Sequence, residues 1–460
     1  MTLTPKTVLT TLTFAVFLLG GCATAALEGG ATPTPLPAAF ASEAVASPAA
    51  LPDAGWWQAL GDPALDALVA RAMSANRDVL AAEAELKRAR ALAGVERWNA
   101  APFGGLGLGY ARERVGGTDG DSFSLGAEAS WEVDLFGRLR AHSRAAAADA
   151  RAAAEAARGV RVAIAAETAS TYLSLRGSQA RLAAAEANAR AQAETLKLTE
   201  ALEDAGRANR LDVARAREQL KTTEAAIAGL RAEVAASLDA LDVLTANTAP
   251  EPRAAIAAIA DVPAPPQALA VGDPEALLQR RPDILEARAR LDAATARVRA
   301  AQVDWWPRLS FTGTAGWLAG SLGGFDASTF SYSIGPRIDW PALDFRRNQL
   351  RLEAAKWGAE AEFLRYDKAV LSGVREVDTA IVALASTGRA VQDLEAAAQA
   401  AREAAELSRI RWREGIDDFL TVLDAERRLT EAEDRLAVAR TRHGLAYVQL
   451  GRALGVGWSA

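Results

Sequence analysis

Residues 141–203 read AHSRAAAADARAAAEAARGVRVAIAAETASTYLSLRGSQARLAAAEANARAQAETLKLTEALE, 63 residues with no proline and only Gly159 and Gly177 as interruptions. Alanine is the best helix former, so the stretch predicts one helix, and at ~1.5 Å per residue it is about 94 Å long. No compact domain needs such an element. Gly206 breaks it, and Leu211 to Leu244 runs back for 34 residues, about half the length of the long helix. The missing half lies upstream. Pro63 to Trp98, 36 residues with Asp62 as N-cap and Pro102 beyond its end, can follow the return helix end to end along the long one.

The second half of the chain repeats this plan. Arg347 to Glu414 gives 68 residues, against 32 from Pro274 to Trp305 and 34 from Leu420 to Ala453. Self-comparison finds the same relation in residue identities. At an offset of 205, Asp78, Val79, Leu80, Leu86 and Pro102 match Asp283, Ile284, Leu285, Leu291 and Pro307. At 209, Gly126, Trp131, Phe136, Glu167, Gly206, Leu211, Val213, Ala216 and Leu220 match Gly335, Trp340, Phe345, Glu376, Gly415, Leu420, Val422, Ala425 and Leu429. The expected organisation is a first repeat over 56–247, a linker over 248–272 whose five prolines rule out a continuous helix, and a second repeat over 273–457.

Between the first and second helices of each repeat the hydrophobic period changes from 3.6 to 2. Phe123, Leu125, Ala127, Ala129, Trp131 and Val133 alternate with Ser122, Ser124, Gly126, Glu128, Ser130, Glu132 and Asp134. Strands are expected at about 103–113, 122–135, 308–318 and 329–340. Such alternation commonly means a half-buried soluble sheet, but the chain offers no layer to cover the apolar face. Strands of ~10 residues with aromatic ends suit an outer-membrane barrel wall around a polar lumen. The smallest such barrels have about eight strands, so four strands must be pooled between chains, and two, three or four copies would give 8, 12 or 16. Sequence arithmetic does not choose among them.

Composition narrows the function classes. The 52 basic and 58 acidic residues leave a charge of −6, without the basic surface that nucleic-acid binding requires. Two histidines, one cysteine and two methionines provide little for a metal site or a Cys/His nucleophile, and no carboxylates form a recognisable acid/base pair. No enzyme activity, metal or cofactor is indicated. Lys6 precedes an apolar run over 8–19 that is too short to span a bilayer, the pattern of a signal peptide ending at residue 21. Leu19-Gly20-Gly21-Cys22 resembles the lipobox of bacterial lipoproteins, which implies lipidation of Cys22, and Ala23 at the next position points to the outer membrane. Residues 22–55, rich in proline, alanine and serine, read as a tether.

The Cys22 lipobox, the duplicated units, residues 130–140 (SWEVDLFGRLR) and residues 415–427 (GIDDFLTVLDAER) together resemble the TolC/OprM family of outer-membrane efflux channels, in its lipoprotein branch. The resemblance runs from Trp56 to Gly455. It implies a mainly α fold with a transmembrane β-barrel, assembled as a homotrimer with a shared 12-stranded barrel and a 12-helix periplasmic α-barrel. It implies the exit duct of a tripartite pump, passing small molecules such as drugs from a periplasmic membrane-fusion adaptor and an inner-membrane RND-type transporter. Protein secretion or metal-ion efflux through the same fold is the alternative.

A duct open at rest would leak, so a closure is expected. Leu420 and Asp424 lie four apart and share a helix face. Spacing alone favours a coiled-coil seam for Leu420 and solvent for Asp424; the resemblance matches Leu420, Thr421 and Asp424 to the family's constriction and turns that face to the pore. Three carboxylates about 6 Å apart would repel by ~3 kcal/mol per pair at an effective dielectric near 20, so closure would need offsetting contacts, a cation or protonation. Asp212 aligns with a further family gate residue. Trp412 stands where relatives often have tyrosine and Asp417 where a member has arginine, so the family's hydrogen-bond latch is not intact; the Trp412 indole or Arg413 is a substitute, with packing the plainer role for Trp412. The turns around Gly206 with Arg207, and Gly415 with Ile416 and Asp417, are periplasmic tips whose first role is helix reversal and which, by resemblance, dock the adaptor.

Overall fold

The computed structural model describes residues 34–37, 39–40, 46–47, 55–266, 269–271 and 273–455; the signal segment, Cys22 and most of the tether lie outside the described residues. In the first repeat, helices α1 (Pro63–Ala75) and α2 (Arg77–Trp98) lead into strands β1 (Phe103–Val115) and β2 (Thr118–Val133), then α3 (Arg138–Asp204) and α4 (Arg210–Leu244). A short α5 (Pro250–Ala257) lies in the linker. The second repeat is α6 (Pro274–Arg280), α7 (Pro282–Val303), β3 (Arg308–Ala319), β4 (Phe330–Asp339), α8 (Phe345–Arg413) and α9 (Phe419–Leu454). The 67 residues of α3 and 69 of α8 make each of these helices about 100 Å long.

Each opening helix, expected to be continuous, is broken once. Asn76 caps α2, accepting from the Asp78 and Val79 amides at 2.9 and 3.2 Å, and donates to the Leu244 carbonyl at 2.9 Å. In the second repeat Pro282 keeps Arg281 extended, and the buried Arg281 guanidinium donates to the Ala453 carbonyl at 2.7 Å. Arg281 and Ala453 lie 205 and 209 residues beyond Asn76 and Leu244. The duplication therefore extends to a matched tie between the helix break and the end of the return helix. A second matched pair anchors the sheet: the Trp131 indole donates to the Ala100 carbonyl and the Trp340 indole to the Trp305 carbonyl, both at 3.1 Å.

The four strands form one antiparallel sheet in the order β1-β2-β3-β4. β2 starts at Thr118, earlier than the alternation indicated. Gly116 and Gly117, at φ +59° and +90°, close β1 and β2 through a two-residue turn that only glycine enters freely. Register aligns Leu106, Ala127, Ala315 and Tyr332 across all four strands. The resulting face is apolar and uncovered: Leu106 is 87% and Ile334 81% exposed. Ring contacts gather at its two ends, Trp131–Phe311 and Phe136–Trp306 near the helices, Tyr110–Phe123 and Trp317–Phe330 at the far side. An apolar band between two aromatic girdles is the surface of a strand wall in lipid. Ten residue steps separate Phe123 from Val133, and at the ~40° tilt general to such walls they would span about 25 Å of membrane thickness.

The apolar core lies midway along the long helices, where Trp56, Leu65, Tyr172, Leu173, Ile284, Ile381, Tyr447 and Leu450 pack together. Tyr172 donates to Asp62 at 2.6 Å and accepts from Arg176 at 2.9 Å. Arg176 and Gln179 close the end of α5 through the carbonyls of Ile256, Ala257 and Ala258, tying the linker to α3.

Candidate functional site

Both helical hairpins turn by the same chemistry. Gly206 and Gly415 sit at φ +71° and +74°, where a side chain is strained and glycine is not. Behind them the Arg207 amide reaches the Leu202 carbonyl at 2.7 Å and the Ile416 amide the Arg411 carbonyl at 2.9 Å, occupying carbonyls the helix ends leave open. Asn209 then caps α4 through the Asp212 amide, and Asp418 caps α9 through the amide and hydroxyl of Thr421. Asp212 and Thr421 thus hold equivalent positions in the first turn, and so do Leu211 and Leu420, both exposed.

On α9, Leu420, Thr421, Asp424 and Arg428 line an open groove of about 520 Å³ with Ala401, Ala404 and Ser408 of α8. Exposure of Leu420 excludes the coiled-coil seam for it within one chain; that seam is built by Val422 and Leu429, both buried. Asp424 is engaged by Arg428 Nε at 2.6 Å and by an Arg427 terminal nitrogen at 3.3 Å. The Arg428 hydrogen bond, seconded by Arg427, holds its carboxyl below the usual range. Offsetting contacts for this carboxylate therefore come from its own helix.

Asp417, placed where a latch donor was sought, is instead clasped by Arg411 across the turn, at 2.7 and 2.9 Å, which lowers its carboxyl pKa. Trp412 packs against the buried Phe419, ring centroids 5.4 Å apart. Asp212 stands in the first turn of α4, where a negative charge suits the helix dipole. The structure brings Leu420, Thr421 and Asp424 onto one groove; Trp412 and Asp212 line no part of it.

Sequence reasoning missed a second polar layer just above the tips. Between α3 and α9, Thr195 donates to Glu426 at 2.9 Å and Asn188 to Glu433 at 3.1 Å, while Arg181 reaches Asp434 at 2.6 Å. Arg409 and Arg402 of α8 close on Glu426 and Glu433, both at 2.8 Å. Glu426 is only 3% exposed. Its spacing from Val422 and Leu429 places it on the seam, a readable signal for a buried carboxylate. Higher up the same two helices close tightly: a Cβ on Gly177 would come within 2.1 Å of the Thr441 hydroxyl.

Comparison with known proteins decides what carries these features. The family model described as outer membrane efflux protein matches residues 68–247 and 274–456, nearly the whole of both repeats. The chain belongs to the outer membrane efflux protein family. It is 31% identical over 413 residues to the toluene efflux pump outer membrane protein TtgF of Pseudomonas putida, covering 88% of this chain and 85% of the relative. Outer membrane protein OprJ of Pseudomonas aeruginosa is 31% identical over 427 residues, covering 89% and 88%. The solved outer-membrane channel OprN superposes with a TM-score of 0.84 at 35% identity, covering 94% of this chain and all of that one. Members of the outer membrane efflux protein family are channels of the outer membrane that reach into the periplasm, and this chain shares their fold, location and efflux role. The resemblance read from residues 130–140 and 415–427 is thereby established as membership.

Proposed function

We propose that this protein is the outer-membrane exit channel of a tripartite efflux system, passively conducting small molecules handed over by a periplasmic adaptor and an inner-membrane RND-type transporter. The observation that carries the reading is continuity: a lipid-facing sheet with β1 and β4 each paired on one side only runs directly into helices long enough to bridge the periplasm. Unpaired strand edges in lipid cost several kcal/mol per group, so copies join edge to edge, and three give a 12-stranded barrel above a 12-helix tunnel. Names of relatives point to hydrophobic cargo, toluene for one. Leu420, Thr421 and Asp424 set the resting constriction, with Asp212 and Trp412 beside it, and the tips at Gly206, Arg207, Gly415, Ile416 and Asp417 receive the adaptor. Lipidation of Cys22 anchors the chain to the outer membrane. In a planar bilayer, alanine at both Leu420 and Asp424 is expected to raise single-channel conductance severalfold; unchanged conductance refutes the constriction.

A further inference from the structure

We infer that the outer face of α3 where it leaves the sheet, built on Arg140 and Arg144, binds anionic phospholipid headgroups of the periplasmic leaflet. This rests on the channel reading proposed above, which decides which face of the helices is outside. Arg144, Arg151, Arg158, Ala165, Tyr172 and Gln179 recur at seven-residue intervals, so in supercoiled helices they keep to one face of α3. On that face Tyr172 bonds Asp62 at the head of α1, and Gln179 bonds the linker carbonyls. Linker and α1 mark the outside, since a conducting duct keeps its inside clear. Arg140 lies one turn from Arg144 on the same face. α3 packs between α2 and α7 of its own chain, so copies joined through sheet edges leave this face uncovered.

Depth separates the four arginines. α3 starts at Arg138, two residues past Phe136, whose ring stacks on Trp306 with centroids 5.0 Å apart. At ~1.5 Å per residue, Arg140 and Arg144 lie about 3 and 9 Å along the helix from that start, and Arg151 and Arg158 about 20 and 30 Å. The headgroup layer outside the hydrocarbon is about 5–8 Å thick on each side, and helical side chains lean toward the N-terminus, here toward the membrane. Arg140 and Arg144 thus reach phosphates, and the lower two do not. Pairing follows the same division. Arg151 is held by Asp292 at 3.2 Å and Arg158 by Glu155 at 3.0 Å, whereas Arg144 is exposed and engages no carboxylate among the described residues. Arg140 meets Asp134 through Nε at 3.1 Å, with its side chain 64% exposed. At an offset of 209 the second repeat carries Gln349, Glu353, Glu360 and Asp367 in place of the four arginines, and Arg346 of α8 is hydrogen-bonded to Gln349 at 3.1 Å. In a chain of net charge −6, exposed arginines continuous with an aromatic girdle fit phosphate in charge and in shape.

The test is lipid retention by the detergent-purified channel, titrated with phosphatidylglycerol and with phosphatidylcholine and read by native mass spectrometry. Wild type should retain phosphatidylglycerol in preference. R140Q with R144Q should lower that preference by about fivefold per arginine removed, the effect of one basic residue at an anionic surface. R151Q with R158Q, on the same stripe beyond the headgroups, should leave it unchanged. Arg144→Gln alone, which has no protein partner to lose, should give one fivefold loss even if the double variant fails to assemble. No preference in wild type, an unchanged preference in Arg144→Gln, or an equal loss in the R151Q with R158Q variant overturns the inference. Single-channel conductance in a planar bilayer keeps the two readings apart: a wild type that conducts without the lipid preference loses only the headgroup surface, whereas one that does not conduct loses the channel on which the outer face was assigned.

Discussion

Asp417 shows what a single residue can and cannot reveal before its neighbours are known. Its partner Arg411 lies six residues back across the Gly415 turn, a separation at which no helix face brings two side chains together; only the left-handed glycine does so. Gly206 and Gly415 themselves were legible, since a glycine interrupting a long helical pattern marks a reversal. The Asp424–Arg428 pair was also within reach, at the four-residue spacing that joins side chains on a helix. Asp417, Asp418 and Asp424 all have folded-state pKa values below the ordinary carboxylate value. Such groups stabilise the fold above that ordinary value, about 3.9, and the contribution is lost as pH falls through it and then through the depressed values. Amide-exchange protection of residues 411–421, corrected for intrinsic rates, should hold from pH 7 to about 5 and fall below about 4. Asp417→Asn should show reduced protection already at neutral pH, with a weaker further fall; an unaltered profile would remove the Arg411 clasp from the account.

At the scale of elements, helix lengths, strand positions and the duplication could be read directly, because period and breaker residues are local properties. The break at Asn76 could not. No proline or glycine marks it, and the extended backbone there is fixed by a distant acceptor, the Leu244 carbonyl. Its counterpart at Arg281 is written in the sequence as Pro282. The seam between α3 and α9 divides similarly: small and apolar residues close it around Gly177 and Thr441, whereas Thr195, Asn188 and Arg181 bond across it nearer the tips. The polar part is the weaker, because hydrogen bonds and partly exposed ion pairs contribute less than close apolar packing. Glu426 holds the seam and α8 together, and Arg409→Ala should destabilise the lower helices by about 2 kcal/mol, largely by leaving the buried Glu426 carboxylate without its cation. Glu426→Ala should cost less, since the Arg409 it frees is partly exposed and can turn to water. A double-mutant cycle between the two should give a coupling of about 1 kcal/mol; additive losses would mean that Thr195 alone satisfies the carboxylate.

The whole molecule is organised by an asymmetry between the two faces of one sheet. Ser333 and Ile334 are adjacent on β4, yet Ser333 faces Thr314 across a hydroxyl pair 3.0 Å apart, while Ile334 belongs to the uncovered apolar band. Nothing among the described residues covers Ile334, which is 81% exposed; a lipid surround explains that exposure. Arginine near the midplane of such a wall costs about 2–4 kcal/mol on the lipid side and little on the lumen side. Ile334→Arg should therefore lower the amount of folded channel recovered from the outer membrane severalfold, and Ser333→Arg should assemble normally. Because β4 is also an edge strand, the Ile334 variant should accumulate as a smaller species in mild detergent, with its helical circular dichroism retained, since the core around Tyr172 and Tyr447 lies far from the sheet. Equal tolerance of both arginines would mean that this face meets protein or water instead, and the edge-to-edge closure of copies would lose its physical reason.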